Sequence, residues 1–180
     1  MAKTTFTGPV RSLNGFISGY GSVTSLSSGT LTIDKDNIDT YAGRSLYYGS
    51  TSAATIILPA INSSSPSDVA GPGGDYNSPN NIGSSFTFYL GATVTGNFIV
   101  KVANSSDIMV GISNTFSSTS GDVTGYQTAA DSDTITLNGT TTGGRYGSVI
   151  RCTAVAANRW LVELSVAASG SLATPFSATV

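Results

Sequence analysis

Between residues 147 and 166 the chain reads GSVIRCTAVAANRWLVELSV, and apolar and polar side chains alternate through it twice. Ile150, Cys152 and Ala154 fall on one face and Val149, Arg151 and Thr153 on the other, the period-two pattern of a half-buried strand. Ala156, Ala157 and Asn158 then make a loop of hairpin length. Beyond it Trp160, Val162, Leu164 and Val166 share a face opposite Leu161, Glu163 and Ser165. The pattern predicts a β-hairpin that closes a core between two sheets, with the only tryptophan at the head of its second strand.

The same reading predicts strands at 30–33, 55–58, 85–90, 97–103, 107–112 and 133–137. Phe86 and Phe88 share a face, as do Phe98, Val100 and Val102, and Ile135 alternates with Leu137. The run 55–58 is apolar on both sides, which marks a central strand, and Pro59 stops it because proline has no N–H for the ladder. Turns are expected at 34–37, at Gly96-Asn97 and at Asn138-Gly139. Long surface loops are expected at 61–83, which holds Pro66, Pro72 and Pro79, and over the mostly polar 113–130. Seven to nine short strands at roughly even spacing, with no long amphipathic helix, predict an all-β fold. The arrangement expected is a single β-sandwich or jelly-roll-like domain over residues 31–166.

The two ends differ from this body. Residues 1–30 contain five glycines and Pro9, while Phe6, Val10, Leu13, Phe16, Ile17 and Tyr20 are too many for a solvated linker and too irregular for a strand. They read as an extended N-terminal arm whose apolar residues dock on a partner, with an ordinary edge strand plus turns as the alternative. Residues 167–180 form a tail of similar composition, with Leu172 and Phe176 as candidate anchors.

Composition narrows the partners. Only 10% of residues are charged, against roughly 25% in an average globular domain. Serine alone outnumbers all charged residues, so the surface is neutral and hydroxyl-rich. The net charge is -2 and the eight basic residues are scattered singly, which argues against nucleic acid and against an anionic membrane. The opening MAKTTFTGPV lacks the apolar run of a secretory signal, and no stretch approaches the roughly 18 apolar residues of a membrane helix. Synthesis in the cytosol is expected, with export as part of a particle still open. The one cysteine, Cys152, has no internal disulfide partner and reads as a small core residue.

Reactive chemistry is sparse. The chain has no histidine, which removes Ser-His-Asp and Cys-His nucleophile activation. Glu163 is the only glutamate, so a glycosidase-like carboxylate pair would need turn aspartates. Two aspartate clusters exist, Asp131 with Asp133, and Asp34 with Asp36 and Asp39. The second opens like a calcium loop but lacks its glycine and has Ser45 where the closing glutamate would stand; solvated turns are the better reading. Gly71, Gly73 and Gly74 form no phosphate loop. Tyr41, Tyr47, Tyr48, Tyr76 and Tyr89 suit sugar stacking in kind, yet their spread over several elements favours core or interface roles. The acceptor triplet 138–140 carries no weight without a signal. No catalytic residue, metal or cofactor is expected, and the chain does not read as an enzyme.

In order, the motifs Thr55-Ile56-Ile57-Leu58-Pro59, Phe86-Thr87-Phe88, Phe98-Ile99-Val100, Asp107-Ile108, Asp133-Thr134-Ile135-Thr136-Leu137, Gly147-Ser148-Val149 and Asn158-Arg159-Trp160-Leu161-Val162 resemble a module recurrent in tailed-phage virion proteins. The opening MAKTTFTGPVRSLNGF is similar to the amino termini of small virion structural proteins of marine phages. The resemblance covers roughly 54–166 plus the start, and the insertion at 61–82 departs from it. It implies a capsid decoration (cement) protein, a homotrimer on the virion capsid surface whose partner is the major capsid protein. In that role residues 6–20 would spread over neighbouring shell subunits. The runner-up is a tail-fibre or appendage module binding host surface glycans through the loops at 61–82 and 113–130, and a soluble carbohydrate-active enzyme is disfavoured by the missing His and the single Glu.

Overall fold

The computed structural model describes residues 23–63 and 81–180. These residues form two mixed β-sheets packed face to face with almost no helix, so the chain is all-β and sandwich-like. The strands are β1 (Val23–Leu26), β2 (Gly29–Thr32), β3 (Ser45–Tyr48), β4 (Ala54–Ile57), β5 (Ser85–Leu90), β6 (Phe98–Lys101), β7 (Ile108–Ser117), β8 (Val123–Gln127), β9 (Thr134–Leu137), β10 (Val149–Ala156), β11 (Arg159–Ala168) and β12 (Phe176–Ser177). One helical turn, α1 (Ile38–Tyr41), lies between β2 and β3. The larger sheet has the order β1-β3-β5-β10-β11-β7-β8 and the smaller one β12-β9-β6-β4-β2.

The first six strands alternate strictly between the sheets. β1, β3 and β5 are parallel neighbours in the larger sheet, and β2, β4 and β6 are parallel neighbours in the smaller one. The N-terminal half is therefore a three-turn coil flattened into two sheets, where a jelly roll would pair antiparallel strands. Short links such as 27–28 and 49–53 carry the chain across the sandwich at each half turn.

The hairpin read from 147–166 forms as β10 and β11 and occupies the middle of the larger sheet, antiparallel to β5 on one side and parallel to β7 on the other. Its turn is Ala157-Asn158, with Asn158 at φ 57, a left-handed conformation that asparagine tolerates better than most residues. Ile150, Cys152, Ala154, Trp160, Val162, Leu164 and Val166 all point inward and are buried. They meet Phe86, Phe88, Phe98, Val100, Ile56, Ile135 and Leu137 in one continuous core. Tilted aromatic contacts cross it, Tyr48 to Phe98 at 5.0 Å between ring centroids and Phe86 to Trp160 at 5.9 Å. Each such side chain contributes about 1.5–3 kcal/mol on leaving water. Tyr48 keeps its hydroxyl satisfied by donating to the Ser52 carbonyl at 2.6 Å.

Three boundaries differ from the sequence reading. Residues 23–30, assigned to the arm, supply β1 and the first half of β2, because Leu26 and Leu31 have core to cover. The segment 113–130, expected as a loop, is mostly a hairpin. β7 runs on to Ser117 and β8 pairs with it antiparallel. The tail begins only after β11 ends at Ala168, and Phe176 returns in β12 against β9. Phe176 is thus an anchor within the chain's own core, and Pro175 beside it is also buried. The arm residues Phe6, Val10, Leu13, Phe16, Ile17 and Tyr20 lie outside the described residues, as does the middle of the 61–83 loop. No helix among the described residues is long and apolar enough to cross a membrane.

Candidate interaction surface

Of the acidic groups singled out from the sequence, Asp34 and Asp133 serve the fold, and Asp131 is exposed. Asp34 Oδ1 accepts from the Asp36 amide at 2.9 Å, and Asn37 Oδ1 accepts from the Asp34 amide at 2.9 Å, which closes a solvated turn. Lys35 pairs with Asp36 at 2.7 Å in the open. Asp133 is buried and accepts from the Thr179 and Val180 amides at 2.8 and 3.0 Å and from the Thr134 hydroxyl. Burial pushes its carboxyl up, but those donors and the Lys101 charge outweigh burial and hold it below the ordinary carboxylate value. Asp107 is also buried; it accepts from the Ile61 amide and from Asn104 Nδ2, both at 3.0 Å. Asn81 ties the two feet of the 64–80 segment together, accepting from the Asn62 amide and donating to the Ala60 carbonyl, each at 2.8 Å. Cys152 is fully buried, and desolvation pushes its thiol well above the ordinary range. No group of three or more His, Cys, Asp or Glu side chains gathers among the described residues.

Asn138, the acceptor-triplet residue, is likewise spent on structure. Its Oδ1 accepts from the amides of Thr140 and Thr142 at 2.9 and 3.1 Å, and Nδ2 donates to Thr141 Oγ1 at 3.0 Å. Gly139 beside it has φ 77, and a β-carbon there would run into the Val94 carbonyl.

Two parts of the described surface stand open. The first is the start of the coil. β1 ends the larger sheet and β2 ends the smaller one, so among the described residues both sheets present a strand edge at the start of the coil, next to Val23. Among the described residues no strand lies against either edge. The second is the outward face of the larger sheet. One register row crosses it from Tyr47 through Tyr89, Val149 and Ser165 to Asn114, and the adjacent row holds Thr87, Arg151, Glu163 and Ile112. Apolar side chains stand open on it, Ile112 at 51% and Phe116 at 46% among them. At its centre Tyr89, Asn114, Arg151, Glu163 and Ser165 line a depression of about 270 Å³.

Of the tyrosines, Tyr48 is in the core, Tyr41 packs against it half-buried, and Tyr47 and Tyr89 are side by side on the open face. Tyr76 lies outside the described residues. Leu172, the other tail candidate, is half-buried and lines a groove of about 580 Å³ with Tyr126 and Thr119. Sequence reasoning missed the pairing of Tyr47 with Tyr89. Their outward positions could be read from period two, but their adjacency needs the parallel register of β3 on β5. No family model, no curated protein and no solved structure matches the chain.

Proposed function

We propose that the protein is a structural component of a tailed-bacteriophage virion, a capsid decoration protein that binds outside the shell and reinforces contacts between major capsid proteins. On this reading it is made in the host cytoplasm, assembles as a homotrimer and acts by burying surface. The observation that carries the proposal is the open end of the coil. Among the described residues the edges of β1 and β2 stand open next to each other, and the arm bearing Phe6, Val10, Leu13, Phe16, Ile17 and Tyr20 directly precedes them in sequence, so strand addition and apolar contact can act together. A few hundred Å² of arm burial would contribute several kcal/mol at about 25 cal/mol per Å² before ordering costs, and every copy on a shell repeats it.

The test uses shells stripped of the protein. Full-length chain is expected to rebind and raise their resistance to heat, and a chain lacking residues 1–20 is expected to fail. Val23→Lys and Thr30→Lys, which put a charge on each exposed edge strand, are expected to weaken rebinding while leaving the melting temperature of the free protein unchanged. Rebinding by all of these variants at wild-type level would remove the reading. Copy number per particle separates it from an appendage module, which would be present in a handful of copies.

A further inference from the structure

We infer that the outward face of the larger sheet carries a binding site for an uncharged oligosaccharide, with Tyr47 and Tyr89 as its stacking platform. The argument begins with two glycines. Gly49 and Gly91 follow β3 and β5 directly, and the Gly91 amide donates to the Tyr48 carbonyl at 2.8 Å. A β-carbon on Gly91 would run into the hydroxyl and ring of Tyr47, and one on Gly49 would stand 2.8 Å from its Cε1. The Tyr47 ring therefore lies down over bare backbone. One side rests on the two glycines, and Tyr47 as a residue stays 40% exposed. Tyr89, its register neighbour, is 38% exposed. A core or a passive surface has no need of a glycine seat under an exposed aromatic ring, whereas a flat ligand that stacks needs the ring laid open.

The groups beside the platform fit the same ligand. Asn114, Arg151, Glu163 and Ser165 surround the depression that Tyr89 borders. Arg151 and Glu163 face each other across β10 and β11 yet form no ion pair with each other. Amide, guanidinium and carboxylate together present paired donors and acceptors, the complement of vicinal hydroxyls. One positive and one negative side chain leave the site without net charge, so nothing there selects an ionic ligand. From Tyr47 on β3 to Asn114 on β7 the row crosses five strands, about 19 Å at about 4.8 Å per step. That length suits several sugar units lying across the strands. The site is on the sheet face, with Asn114 of β7 at its far end, and it does not depend on how the arm engages a shell.

The test is calorimetric titration of the full-length chain with a panel of short, linear, uncharged gluco-, manno- and galacto-oligosaccharides. At least one is expected to bind, with little dependence on added salt. Tyr47→Ala and Tyr89→Ala are expected to weaken it about tenfold or more, while Tyr47→Phe, which keeps the ring, stays near wild type. Gly91→Ala, which unseats the ring, is expected to weaken it similarly. Because Gly91→Ala also stresses the backbone, melting temperatures are measured for all variants, and Tyr89→Ala, on the open face, is expected to melt like wild type. No binding by any panel member, or wild-type affinity in both Tyr→Ala variants, would overturn the proposal. So would dissociation of a self-associated species by those variants in light scattering without any sugar effect, which would make the face a contact between copies. Shell rebinding by the Tyr→Ala variants keeps this result separate from the decoration reading.

Discussion

Burial works against the charge on Asp133, yet the Thr179, Thr134 and Val180 donors and nearby Lys101 outweigh it, so the native state favours the ionised form. A native value below the ordinary 3.8 means that this stabilisation is complete above that pH and is lost as pH falls through the lower native value. Asp133→Asn is expected to cost about 1–3 kcal/mol near neutrality, because one oxygen facing an amide donor becomes a donor itself. It is also expected to flatten the acid limb of a stability profile followed by chemical denaturation. The sequence showed Asp133 as one of a turn pair. Its role was hidden because its two amide donors come from 46 and 47 positions away. Cys152 and Trp160 were legible, since alternation alone placed both inside, although Trp160 Nε1 reaches the core with no hydrogen-bond partner among the described residues.

At the scale of elements, β10, β11, β5 and β6 followed from period-two alternation because apolar residues fill their inward positions. β7 did not. Its inward positions past Gly111 are Ser113, Thr115 and Ser117, all fully buried, so a strand looked like a polar loop. The hydroxyls are tolerated because Ser113 Oγ and Thr115 Oγ1 bond each other at 3.0 Å and Ser117 Oγ accepts the Ser120 amide at 3.2 Å. Thr115→Val is expected to cost about 1–3 kcal/mol by stranding the Ser113 hydroxyl, and adding Ser113→Ala is expected to recover most of that loss. Denaturant midpoints of the two single variants and the double variant measure it; additive losses would show that the hydroxyls do not act as a pair.

For the whole molecule, two layers were legible and their wiring was not. Alternation specifies a face, and it is the same for parallel and antiparallel neighbours, so nothing in 23–101 announced a coil. The tail is integral to this architecture. Removing residues 171–180 takes away Phe176, the β12 pairing and both amides on Asp133. A loss of about 3 kcal/mol or more is expected, of the size seen when a buried Phe is truncated. Thermal melts of the shortened chain test this, and an unchanged midpoint would mean that β12 is an ornament on the smaller sheet.

The position of the β10–β11 hairpin also sets a schedule for synthesis. It leaves the ribosome after every other strand of the larger sheet, yet it fills the gap between β5 and β7, which emerge long before it. Until it arrives the nascent chain holds two half-sheets whose inner margins are sticky and unmatched, a state prone to aggregation. Messages broken between the codons for β8 and those for β11 should therefore yield insoluble product, and slowing translation through β10 and β11 should do more harm than slowing it through β1 to β3.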